Sequence, residues 1–407
     1  MRLSTFLALA LVCAGCDSDR TTGDAGREDA ATPSDAATNR DAGTDDAGRL
    51  VDAAVAPDGG IDDVRDAETR TEGCWSIDRV AFSSAVAIDL ALAADGAPRL
   101  GLIAEGTAWI VEPAGAGRWR ATRVGAVESG SDTWIALGID GEGHSHLMYS
   151  NALTDAGARL GVAYATDASG AFVLRAIDEV LPSGDLPRRI QRAVAFAEAG
   201  AVRFVASTTR VNGVRFDVSA EVVDIGESAV GTPLLTEEYT PDRSFVDGLG
   251  VAARPGGGTW AAIAAGGTVY IAPAHEGALT EAVRAGYASH PSLVFDASGG
   301  PWVAFGDNHN TAFTDQLVVA HRDGDAWVEE IVAPPDTNIE QTASAFDASG
   351  TLHVVFGGIR HAVRASDGTW SVSTIGFGAL PVLRAAGGPL HLAYVETGAI
   401  DIARCAP

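Results

Sequence analysis

The chain has 407 residues, 46% of them hydrophobic, enough for a large core; it has 48 Gly and no Lys, so all 28 basic side chains are Arg. Without a lysine amine there is neither a Walker-type phosphate loop nor a Schiff-base nucleophile. A formal charge of −26 argues against nucleic acid as a partner, because phosphates would be repelled over the whole surface.

The chain starts Met1-Arg2 and continues with an apolar run from Leu3 to Val12, too short to cross a bilayer as a helix but suited to a signal-peptide core. Cys13-Ala14-Gly15-Cys16 follows. This segment resembles the lipobox of bacterial lipoproteins, with Cys13 standing where that family prefers Leu. The resemblance implies a signal peptide over residues 1–15, cleavage before Cys16, and a diacylglyceryl group on the Cys16 thiol. It also implies export and a lipid anchor in the inner or outer membrane of the cell envelope. Several acyl chains would hold stably, at ~0.8 kcal/mol per buried methylene. Ordinary secretion is the alternative.

Residues 16–72 are rich in Asp, Ala, Thr and Gly, with 16 acidic and 6 arginine side chains after Cys16. So few large apolar groups cannot offset the ordering entropy, and the expectation is a disordered acidic tether spanning on the order of 40 Å. No regular D-x-D-x-D-G calcium loop appears in it.

From residue 73 a period of roughly 40–55 residues sets in, the range of propeller blades. Ser292-Leu293-Val294-Phe295-Asp296-Ala297-Ser298-Gly299 and Ala343-Ser344-Ala345-Phe346-Asp347-Ala348-Ser349-Gly350 each put an apolar strand before an Asp/Gly turn. A second apolar strand follows, then a third, a second Gly turn, and an aromatic opening a fourth strand, as at Trp327 and Trp370. Units of this form begin near Val86, Thr133, Ile190, Val246, Pro291, Ala343 and Leu380. Over residues 73–407 the pattern predicts an all-β fold, a seven-bladed β-propeller of four-stranded antiparallel blades. A sandwich or solenoid of the same hairpins is the competing architecture.

The seventh unit runs out after three strands. Its missing fourth strand has the form Gly-x-Trp, which Gly73-Cys74-Trp75 supplies. With Cys16 lipidated, Cys74 and Cys405 remain in an oxidising compartment and most simply form one disulfide. Closing so long a loop is worth ~5–6 kcal/mol on chain-entropy grounds.

Ser366-Asp367-Gly368-Thr369-Trp370 resembles the Asp-box, or BNR, repeat of sialidases and related propellers, with spacer residues missing. In that family the box is structural, so the resemblance implies fold and little about activity. The Tyr–Glu pair and arginine triad of a sialidase are not recognisable. G-x-S-x-G, H-E-x-x-H and G-x-G-x-x-G motifs are also missing. His144-Ser145-His146 could offer two imidazoles to zinc, but His146, His353 and His391 share a repeat slot with Arg99, Arg203, Trp260 and Trp302. A slot filled so variously is structural.

The first-to-second and third-to-fourth turns are uniformly tight. Long connections are expected at 151–158, 181–189, 208–213, 237–247, 307–316 and 334–341, on the opposite face, where binding residues usually sit. Asp307 and His309 in one loop, and Tyr239, Asp242 and Arg243 in another, are the candidate ligand contacts. No cofactor or metal is expected. The functional expectation is a membrane-anchored binding module for a glycan or an envelope protein. A sialidase-like glycoside hydrolase or lyase, and a non-catalytic envelope scaffold, are the alternatives. Carboxylates from different blades can meet without any sequence spacing to reveal them.

Overall fold

The computed structural model describes residues 62–406, except 128–132, 154–158, 178–187, 213–214, 226–228, 240–245, 275–280, 285–287, 308–314, 338, 340 and 386–387. The described residues form strands and turns only.

The chain opens with Asp62–Glu72 (β1) and Trp75–Ala81 (β2), followed by Ala87–Leu92, Pro98–Ala104, Thr107–Gly115 and Arg118–Ala126 (β3–β6). Ile135–Ile139, Ser145–Leu153, Arg159–Thr166 and Val173–Ile177 (β7–β10) make one four-stranded antiparallel sheet. Arg188–Glu198, Ala201–Asn212, Arg215–Ile225 and Ala229–Tyr239 (β11–β14) make the next. Val246–Ala253, Thr259–Ala265, Thr268–Pro273 and Glu281–Arg284 (β15–β18) follow in the same order. So do Ala288–Phe295, Pro301–Asp307, Asp315–Asp323 and Ala326–Thr337 (β19–β22). Thr342–Phe346, Leu352–Phe356, Arg360–Arg364 and Trp370–Thr374 (β23–β26) complete the separate sheets. Ala379–Ala385, Leu390–Glu396 and Ala399–Cys405 (β27–β29) end the chain.

The last three strands do not stand alone. A nine-stranded sheet runs β27-β28-β29-β2-β1-β6-β5-β4-β3, so both ends of the described chain lie in one sheet. Trp75 is paired with Cys405 and Ala81 with Ala399, and the Cys74–Cys405 disulfide, with Cα atoms 5.0 Å apart, sits at the head of that ladder. The expected closing strand and its bridge are therefore present.

β1 corrects the expected tether boundary. Residues 67–72 pair with β2, whereas 62–66 pair with β6. The strand thus lies across the seam between the two halves of the large sheet, and Ala67 N–H donates to Gly117 O at its midpoint. Composition misled because β1 is ordered by two exposed strand edges rather than by apolar side chains. Arg65 lies over the Phe82 ring, 3.8 Å from its centroid, and donates to Ala81 O. Arg70 donates to the buried carboxylate Oδ2 of Asp401 (2.7 Å) and to the Tyr394 hydroxyl (3.0 Å).

The first strands β3, β7, β11, β15, β19, β23 and β27 each contact the next, and β27 contacts β3. Each sheet is consequently covered by a neighbour on both faces, which explains the unbroken apolar runs within second strands such as β16 and β24. Ala261 to Ala265, and Val354 to Phe356, have almost no exposed surface. The core divides into apolar layers between successive sheets, for example Phe204 with Met148, and Leu317 with Val354. Two glycines on β15 permit its close approach to β19. A Cβ on Gly248 would lie 2.7 Å from His290 Cα, and one on Gly250 would lie 2.8 Å from Pro291 O.

The connection expected at 208–213 is largely strand. β12 continues to Asn212, which pairs with Arg215 across a short hairpin. The β-branched run through Thr208, Thr209 and Val211 suits an extended arm, and that preference outweighed its polar reading as a loop. Strand likewise extends to Leu153, Tyr239 and Thr337 and begins at Arg188, shortening the other expected connections.

Candidate functional site

The seven first strands surround a central channel of about 620 Å³. A first strand has a partner on one side only, so its inner N–H groups need acceptors. Two are supplied in the same way from the preceding sheet. Asp89 Oδ2 accepts from Leu137 N–H (2.9 Å), and Ser292 Oγ accepts from Ser344 N–H (2.9 Å). Asp89 Oδ1 also accepts from Leu90 N–H (2.8 Å) and from Arg384 Nη2 (3.2 Å), tying β27, β3 and β7 together. Burial pushes the Asp89 carboxyl above its ordinary range, while Arg384 and the two backbone N–H groups act against that rise. Asp89 and Arg384 are the charged side chains among the described residues lining the channel, and the rest of the wall is mainly Ala, Gly, Val, Leu and aromatic.

The tight-turn face is built on a repeated device. Asp296 Oδ1 accepts from Ser298 N–H and Gly300 N–H, and its Oδ2 from the indole Nε1 of Trp302 (3.2 Å). Asp347 accepts from Ser349 and Thr351 N–H in the same way and takes His353 Nε2 at 3.3 Å. Asp140 takes His146 Nε2 at 3.1 Å. The variable slot is therefore a ring N–H six residues after a turn carboxylate. Where the turn residue is Arg254, the slot holds Trp260 under its guanidinium (5.6 Å to the ring centroid). Where it is Ala93, the slot residue Arg99 reaches Gly143 O and Ser145 Oγ of the next sheet, each at 2.8 Å. Burial opposes the charge of all three aspartates, but their hydrogen bonds outweigh it and hold the carboxyls below the usual range. Among the described residues no group of three His, Cys, Asp or Glu side chains could hold a metal ion.

One of these slots extends into a chain. His353 Nδ1 is 2.9 Å from His361 Nε2, and His361 Nδ1 is 3.5 Å from Trp75 Nε1. Indole nitrogen only donates and the Asp347 carboxylate only accepts, so both tautomers are fixed. Trp75 donates to His361, His361 to His353, and His353 to Asp347. Burial lowers the His361 pKa to about 4, helped by its neighbour His353, and burial lowers that of His353 too. No sequence spacing signals this chain, whose ends belong to the closing strand and to the sheet of β23–β26.

Of the expected ligand contacts, Asp307 closes β20 and is 1% exposed, with Gln316 Nε2 donating to its Oδ2 (3.2 Å). That hydrogen bond links the end of β20 to the start of β21. Tyr239 ends β14, paired along the backbone with Phe216. His309, Asp242, Arg243 and Cys16 lie outside the described residues. Asp367, in the Asp-box-like turn, accepts from Thr369 N–H and Oγ1, while Trp370 Nε1 donates to Glu330 (2.7 Å).

No protein-family model matches this chain, and no curated protein sequence matches it significantly. Solved structures do. A catalytically inactive virginiamycin B lyase from Staphylococcus aureus with quinupristin is similar over 81% of this chain and 99% of its own, with a TM-score of 0.50 and 11% identity. YCF48 bound to D1 peptide matches over 84% and 98%, with a TM-score of 0.50 and 12% identity. The WD40 β-propeller domain of Doa1 matches over 84% and 96%, with a TM-score of 0.48 and 10% identity. At such identities the likeness concerns the fold alone. The chain is all-β with propeller-type structural neighbours.

Proposed function

We propose that this chain is a seven-bladed β-propeller, exported and lipid-anchored through Cys16, that binds a glycan or protein at the cell envelope. The seven blades rest on the cycle of first-strand contacts from β3 round to β27 and back. In this reading β27, β28, β29 and β2 are the seventh blade, and β1 is a strap joining its outer strand to that of the first. Export rests on the lipobox-like segment and on the Cys74–Cys405 bridge, which persists in oxidising compartments.

The binding role is carried by one observation, the contrast between the two faces. On one, carboxylates, rings and guanidinium groups are spent on capping tight turns. β8, β14 and β20 end on the other and are followed in sequence by residues 154–158, 240–245 and 308–314, the kind of segment that carries recognition on a rigid scaffold. Ligand contacts are assigned to Tyr239, Asp242, Arg243 and His309, with Asp307 as a buried support.

A glycan array probed with the full chain, run beside a glycosidase and polysaccharide-lyase screen, tests this. Binding without turnover is expected, weakened by Arg243→Ala or His309→Ala. Turnover of a glycan would replace the binding reading with the enzymatic one. If both glycan assays are silent, cross-linking in intact envelopes should capture a protein partner dependent on Arg243 or His309; a chain cross-linking to nothing would refute the role.

A further inference from the structure

Among the described residues the channel wall carries one ion pair, and its two members are presented very differently. The Asp89 side chain is 11% exposed, and its oxygens are occupied by Leu90 N–H, Leu137 N–H and Arg384. The Arg384 side chain is 42% exposed. A guanidinium has five N–H donors. Among the described residues Arg384 commits two, one to Asp89 Oδ1 and one to Leu383 O (3.1 Å). The pair hides its anion in the wall and shows its cation to the channel.

We propose that the channel is a binding site for a small anionic ligand, held through a carboxylate or phosphate group by Arg384. The planar fork of donors matches such oxyanions. The guanidinium is carried on β27, where it donates to Leu383 O and to Asp89 Oδ1. The cavity of about 620 Å³ suits a small molecule, and the Leu, Val and Phe side chains among its lining would receive the uncharged part of one.

Asp89 is the competing counter-charge of Arg384 here. Capping the next strand does not require a carboxylate, since Ser292 does the same for Ser344 N–H with a neutral hydroxyl. What the carboxylate adds is a counter-charge that orients Arg384, at the cost of weakening its attraction for an incoming anion. This proposal stands on Arg384 and Asp89 and does not depend on the glycan or protein reading.

The two residues should therefore act in opposite directions. Calorimetric titration of the full chain would use benzoate, its neutral isostere benzamide, and inorganic phosphate. At least one anion should bind with one-to-one stoichiometry, and benzamide should bind at least about tenfold more weakly than benzoate. Tighter binding of phosphate than of benzoate would assign a phosphoryl ligand; the reverse would assign a carboxylate. Arg384→Gln should weaken anion binding by about tenfold or more, whereas Asp89→Ser should strengthen it several-fold. Far-UV circular dichroism checks that each variant folds. If Arg384→Gln does not fold, Arg384→Lys, which keeps the charge and loses the fork, should weaken binding several-fold. The proposal is overturned if neither anion binds, if benzoate binds and benzamide matches it, if Arg384 variants bind as the parent does, or if Asp89→Ser weakens binding.

Discussion

His361 offers a stability change whose pH dependence can be worked out from its surroundings. In the folded chain it accepts from Trp75 and donates to His353, which a doubly protonated imidazolium cannot do. Its folded pKa of about 4 lies below the ~6.5 of an unfolded histidine. The unfolded chain therefore binds more protons between these values, and stability falls as pH drops from about 6.5 to about 4. The gap corresponds to about 3 kcal/mol lost in full below pH 4. Acid also attacks Asp140, Asp296 and Asp347, so the informative quantity is a difference between two proteins. Gln at this position keeps one acceptor and one donor but cannot titrate. His361→Gln should cost about 1–2 kcal/mol at pH 7, where geometry alone is impaired. By pH 4 the deficit should vanish or reverse. Urea unfolding of both proteins from pH 7.5 to pH 4, followed by tryptophan fluorescence, measures this. Parallel stability curves across that range would refute the tautomer chain.

Three further outcomes follow from the closure and the turns. Arg70→Ala leaves the Asp401 carboxylate buried without its cation and should destabilise the chain by about 2–3 kcal/mol in urea unfolding, far more than a typical surface arginine. Asp296→Ala removes the acceptor for two backbone N–H groups, the Ser298 hydroxyl and the Trp302 indole, and should cost about 2 kcal/mol by the same assay. Cys16→Ser should move the protein from the membrane fraction to the soluble fraction of the envelope; unchanged membrane attachment would contradict the lipid anchor.

The repeat was readable because a four-stranded unit announces itself locally. Apolar runs such as Val303-Ala304-Phe305 alternate with Asp/Gly turns, and the starts near Val86, Val246 and Leu380 fall within a residue or two of β3, β15 and β27. The missing last strand was readable for the same reason, as an absence that Trp75 fills. The slot shared by His146, Trp302 and His353 is recognisable as structural, although its reason, a ring N–H facing a turn carboxylate, shows only in three dimensions. What stayed hidden is whatever depends on two distant segments meeting. β1 carries too few apolar groups to look like a strand, and it is ordered by two edges supplied elsewhere. Asp89 and Arg384 are 295 residues apart, and Trp75 and His361 are 286 apart. No periodicity links them, because each pair forms only when the ring closes.

That closure is the central claim, and non-reduced peptide mapping by mass spectrometry tests it most directly. Protein purified and alkylated without reductant should yield one cross-linked species joining the peptide containing Cys74 to the peptide containing Cys405. Recovery of Cys74 and Cys405 as separately alkylated free thiols would contradict the closed ring.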